Sequence, residues 1–173
     1  MRTARTVLLV GLAVASITAG CRLDEGTRQD EGDLVLTLSF NADEYAGDAP
    51  IRALVRLENT GGESALVNAR MALNSSAAPK ELREIVFIVL GPSGSEVPLG
   101  ARINLRPPGE SEFTVLAPGA AVQREYSLRE FYSFDQPGPY TISAVYQNSS
   151  EPPSGDDAWK GELQSNVVII TVR

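Results

Sequence analysis

Between residues 34 and 172 apolar side chains recur at every second position, and no other feature limits the fold of this chain so much. In IRALVRLEN, Ile51, Ala53, Val55 and Leu57 alternate with Arg52, Arg56 and Glu58. A period of two sends alternate side chains to opposite sides of an extended backbone, so the segment reads as a strand with one face in a core and one in water. LVLTLSF repeats the pattern, with Leu34, Leu36, Leu38 and Phe40 opposite Thr37 and Ser39. Further strands are expected at 65–73, 83–90, 101–105, 112–116, 121–128, 140–147 and 164–172, with turn-forming GPSG, RPPGE, APG, QPGP and EPPSGDD between them. No segment keeps a helical period. The local exception is Ser127 followed by Glu130, a capping-box spacing that predicts a single helical turn through LREFY. About nine short strands joined by Gly- and Pro-rich turns imply an all-β fold, a single antiparallel sandwich over 34–173.

The N-terminus carries a different message. Arg2 and Arg5 precede an uncharged apolar run from Val7 to Gly20. That run is shorter than the roughly 20 apolar residues a membrane-spanning helix needs, and it reads as a cleavable signal peptide over 1–20. Cys21, the one cysteine in 173 residues, follows immediately. A lone cysteine has no disulfide partner within the chain. Thr18-Ala19-Gly20-Cys21 resembles the lipobox of bacterial lipoproteins. The resemblance implies cleavage between Gly20 and Cys21 and acylation of the Cys21 thiol, hence a membrane anchor outside the cytoplasm. Arg22 in place of Asp after the cysteine implies sorting to an outer membrane where the organism has one. Residues 22–33, RLDEGTRQDEGD, offer almost nothing apolar to bury and read as a flexible tether. Removal of 1–20 takes Arg2 and Arg5 with it and leaves 13 basic against 22 acidic residues, a net charge of −9. Such a surface repels nucleic acid and anionic headgroups, so the lipid rather than the surface charge is expected to do the attaching.

FTVLAPGAAVQREYSLREFYSFDQPGPYTISAVY, residues 113–146, resembles the later strands of immunoglobulin-like modules of bacterial envelope proteins. It is similar too to the Ig-like segments that precede some deuterolysin-type metalloprotease domains, where Leu-x-Pro-Gly, a strand, an aromatic turn and Pro-Gly-x-Tyr-Thr occur in that order. WKGELQSNVVIITV looks like the closing strand of such lipoproteins. The resemblance implies a fold rather than a site. It casts Tyr140 as a tyrosine corner and Ile142 at the place of the second core cysteine of antibody domains. With Cys21 alone in the chain, the core disulfide is absent, as in fibronectin-like relatives.

Catalytic signals are sparse. The absence of histidine removes Ser-His-Asp and Cys-His catalysis and the zinc-binding H-E-x-x-H helix, so the protease activity of those relatives does not carry over. GPSGSEVPLG lacks the Lys-Ser/Thr ending of a phosphate loop and reads as a hairpin turn. Asp156 and Asp157 lack the alternating oxygen ligands of a calcium loop and read as a solvated turn. The sequons at Asn74 and Asn148 read as chance matches in a bacterial chain. No cofactor or metal is called for. Carboxylates are plentiful, which leaves a carboxylate-based hydrolase as one alternative.

Two groups of residues are candidates for binding. Phe131, Tyr132 and Phe134 crowd one connection, and Trp159 lies in a polar loop; aromatics so placed form a recognition platform or cap the open end of a core. The second group breaks the alternation rule. In REIVFIVL, Val86, Ile88 and Leu90 oppose Ile85, Phe87 and Val89; in NVVIITV, Val167 and Ile169 oppose Val168, Ile170 and Val172. Sandwich strands apolar on both faces need a cover, either their own chain at 74–82, 101–113 or Trp159, or a partner. The reading as a whole is a lipid-anchored binding or structural module without catalytic activity, with a protein or glycan as partner. The alternatives are the hydrolase and an inhibitory or chaperone-like module that pairs with a protein.

Overall fold

The computed structural model describes residues 33–101 and 106–173. Cys21, Gly20, the signal peptide and most of the tether fall outside the described residues, as does nearly all of the strand expected at 101–105.

Among the described residues ten strands form three sheets. β1 (Leu34–Phe40), β3 (Arg52–Asn59) and β7 (Ala121–Ser127) make an antiparallel sheet in the order β1-β3-β7. A second sheet runs β2 (Glu44–Tyr45), β10 (Val168–Val172), β8 (Gly138–Asn148), β5 (Ile85–Leu90), with β9 (Gly161–Gln164) also paired to β8. β4 (Ala65–Asn68) and β6 (Phe113–Leu116) form a small antiparallel pair of their own. This distribution of strands between two sheets is immunoglobulin-like. No α-helix occurs among the described residues; three short 3-10 turns do, one of them at Leu128–Glu130, where the sequence predicted a helical turn. Ser127 flanks that turn without a side-chain capping bond, so the capping-box pattern there marks the turn without forming the box.

Alternation builds the core as the sequence implies. Leu34, Leu36 and Leu38 of β1 and Ala53, Val55 and Leu57 of β3 are buried against Ile85, Phe87, Val89, Tyr140, Ile142, Ala144, Tyr146 and Ile170 of the facing sheet. Each such aliphatic or aromatic side chain contributes about 1.5–3 kcal/mol through burial.

Three departures from the sequence reading matter. The expected strand at 65–73 stops at Asn68, because the chain turns through Met71, which sits at φ 48 with its side chain buried. Side chains then satisfy this segment's backbone: the Tyr146 hydroxyl donates to the Asn68 carbonyl at 3.0 Å, Tyr126 donates to the Met71 carbonyl and Arg124 to the Arg70 carbonyl. The expected strand at 164–172 is broken in two by a bulge. Gln164 pairs with Val145 and Val168 with Ile142, so three residues, 165–167, stand opposite two. Inside the bulge the Ser165 hydroxyl accepts from the Ala144 N–H at 2.9 Å, and the Asn166 amide leaves its own sheet to meet β1. Leu38 N–H donates to Asn166 Oδ1 at 2.9 Å, and Asn166 Nδ2 donates to the Leu38 carbonyl at 3.0 Å. One side-chain amide thus does the work of a peptide unit and clips the edge of one sheet to the edge of the other. Last, Asp33 belongs to the folded unit rather than to the tether, since its carbonyl accepts from Thr60 N–H at 2.7 Å.

Candidate functional site

Register decides what the outer face of the larger sheet looks like. Ile85, Phe87 and Val89 of β5 and Ile170 and Val172 of β10 are buried, which turns Val86, Ile88, Leu90, Val167 and Ile169 to the other side. Between them β8 contributes Thr141, Ser143 and Val145. Ile169 pairs with Thr141 and Thr141 with Leu90, making one row across three strands. Ile88 pairs with Ser143, which has the bulge residue Val167 on its far side; Val86 pairs with Val145, flanked by Gln164. These nine positions carry no charge. Val167 is 58% exposed, Ile169 61% and Ile88 36%. Neither the described part of 101–113 nor Trp159 covers them: the first is engaged with Arg70 and Trp159 lies on the core side.

One of the four residues expected on this surface does not belong to its exposed part. Val86 is 7% exposed, because it lies at the end of β5 where Glu84 and segment 72–74 close against the strand through Asn74 N–H to the Ile85 carbonyl at 2.7 Å.

The loop aromatics do not form a platform. Tyr132 is buried and its hydroxyl donates to the Phe87 carbonyl at 3.3 Å; Phe134 is buried with its ring 4.9 Å from that of Tyr140. Phe131 is partly buried against the core. Trp159 is half-buried with its ring stacked on Tyr146 at 5.7 Å, and its backbone N–H donates to the Leu66 carbonyl at 2.8 Å. All four therefore cap the core, where large rings fill space at the ends of the sheets. Tyr140 is also buried, and its hydroxyl donates to the Gln136 carbonyl at 2.9 Å across the Pro137-Gly138-Pro139 approach to β8.

The carboxylates nearest the core are engaged in structure. Glu84 is buried; its carboxylate accepts from the Arg70 guanidinium and from Ala72 N–H at 2.7 Å, while its own N–H donates to Asn74 Oδ1 at 2.7 Å. Arg70 also reaches Glu112, which Arg106 holds from outside at 2.5 Å. Those hydrogen bonds, first from Arg106 and then from the Gly109 N–H, lower the Glu112 carboxyl to about 2 from an ordinary 4.5. Since the unfolded chain takes up that proton first, the stability Glu112 supplies is present above about pH 4.5 and fades as pH falls towards 2. Burial raises the hydroxyl pKa of Tyr126, Tyr132 and Tyr146, which act as neutral hydrogen-bond donors. Neither of these networks was legible in the sequence; the polar residues Asn68, Arg70 and Asn74 inside an otherwise apolar stretch were the available signal. Asn74 and Asn148 are buried, and the Asn148 amide donates to the Trp159 carbonyl at 2.7 Å, so both sequon amides serve the fold.

Two shallow recesses complete the surface. One of about 490 Å³ lies between β1 and β9, lined by Leu34, Val35, Leu36, Glu162, Leu163 and Gln164. Another of about 230 Å³ brings Glu96 and Asp135 near Tyr140, with both carboxylates exposed. Among the described residues no group of three or more His, Cys, Asp or Glu is arranged to hold a metal ion.

No protein-family signature matches the chain, and no curated protein matches it in sequence. Several solved structures are similar in strand arrangement. The CARDB domain of a Pyrococcus furiosus protein, crystallised in complex with di-metal ions, is 13% identical with a TM-score of 0.42, over 82% of this chain and 88% of that one. An NMR structure of the same domain is 12% identical with a TM-score of 0.39, over 81% and 94%. A β-glucosidase from Erythrobacter marinus is 13% identical with a TM-score of 0.38, over 82% of this chain and 15% of that one. Likenesses this loose transfer neither the metal ions of the first nor the activity of the last.

Proposed function

We propose that the protein is a lipid-anchored, extracytoplasmic β-sandwich module that binds through the outer face of its larger sheet and performs no catalysis. The observation that supports this reading most is the row of exposed β-branched residues, Ile88, Val167 and Ile169, on a face with no charge among nine positions. A monomer gains nothing by keeping such a patch in water, and contiguous exposed apolar patches mark contact surfaces. Anchoring rests on Thr18-Ala19-Gly20-Cys21 and the short apolar run before it. A single acyl chain holds a membrane only marginally, so an anchored form implies at least two on Cys21.

Two measurements test the two halves separately. Mass spectrometry of the mature N-terminus is expected to show a chain that begins at an acylated Cys21; a free thiol on a soluble protein would sink the anchor. Replacing Val167 and Ile169 by lysine is expected to abolish partner capture while leaving the melting temperature unchanged. Capture that survives the double substitution would move the binding surface elsewhere.

A further inference from the structure

We draw no further inference here: the strongest candidate, the recess of about 490 Å³ where the edges of β1 and β9 face each other, is too narrow for an inserted strand, since Cα atoms approach within 8 Å across it where a third strand needs about 9.6 Å, and nothing in the structure shows what fills it.

Discussion

The two sheets of this sandwich present opposite outer faces. On the β1-β3-β7 sheet, β3 and β7 turn Arg52, Arg56, Glu58, Gln123 and Glu125 outward, with Arg52 and Glu125 paired at 2.8 Å and Arg56 and Glu58 at 3.1 Å. On the larger sheet the corresponding positions of β5, β8 and β10 hold Val86, Ile88, Leu90, Thr141, Ser143, Val145 and Ile169. Both inner faces are equally apolar, so the core does not explain the difference. An outer face of charges is what solubility asks of a sheet that meets only water. The uncharged face lacks that signature.

The contrast is open to attack at several strengths. Its sharpest boundary is Glu84, the carboxylate at the end of β5, which is buried on Arg70 rather than displayed. Glu84→Ala takes the buried carboxylate from the Arg70 guanidinium, which keeps Glu112 and the Arg106 and Pro107 carbonyls, and leaves the Ala72 N–H unpaired. It is expected to cost about 3–5 kcal/mol in urea denaturation. A loss below 1 kcal/mol would show the network to be ornamental. Next come two neighbours on β10. Ile170→Ala empties a fully buried site and should cost about 2–5 kcal/mol, while Ile169→Ala should stay within about 0.5 kcal/mol. Comparable losses at the two positions would mean the outer face is already packed in the monomer. Tyr140→Phe removes the hydroxyl from the Gln136 carbonyl and is expected to lower stability by about 1 kcal/mol, read as a shift in denaturation midpoint at constant slope. The smallest effect belongs to the charged face itself. A double-mutant cycle on Arg52 and Glu125, both more than half exposed, should return a coupling of about 0.2–1 kcal/mol that salt erases.

How far the sequence reveals all this depends on which atoms make each contact. β1, β3, β5, β7 and β8 were legible because their bonds run between backbones and their side chains obey a period of two. The uncharged face was legible for the same reason, since Val167 and Ile169 could be placed opposite Ile170 by counting alone. The segment 68–74 was not, because its backbone is satisfied by the hydroxyls of Tyr126 and Tyr146 and by Arg124, residues more than 50 positions away. Its apolar content imitates a strand while Met71 turns the chain. The bulge at 165–167 hid in the same way: Ser165 and Asn166 look like ordinary polar members of a strand until the partner strands are in place. The parallel pairing of β2 with β10 rests on Glu44 and Tyr45 alone, too few residues to show any period. The loop aromatics were found, but platform and cap stayed open as alternatives, since composition does not distinguish a ring turned outward from one turned in.

The Asn166 clip has a mechanical meaning. In the proposed anchored form a pull from the N-terminus would reach β1 at Leu34, while a load on the uncharged face would enter through β10. Apolar packing between the sheets slides easily because it is non-directional. The amide of Asn166, bonded at both Oδ1 and Nδ2 to Leu38, joins β1 to the bulge between β9 and β10 by two directional bonds. In that form tension between anchor and partner would run along β1 to Leu38 and cross there towards the closing strand. The sandwich would then act as a coupling whose strength under load is set at that crossing.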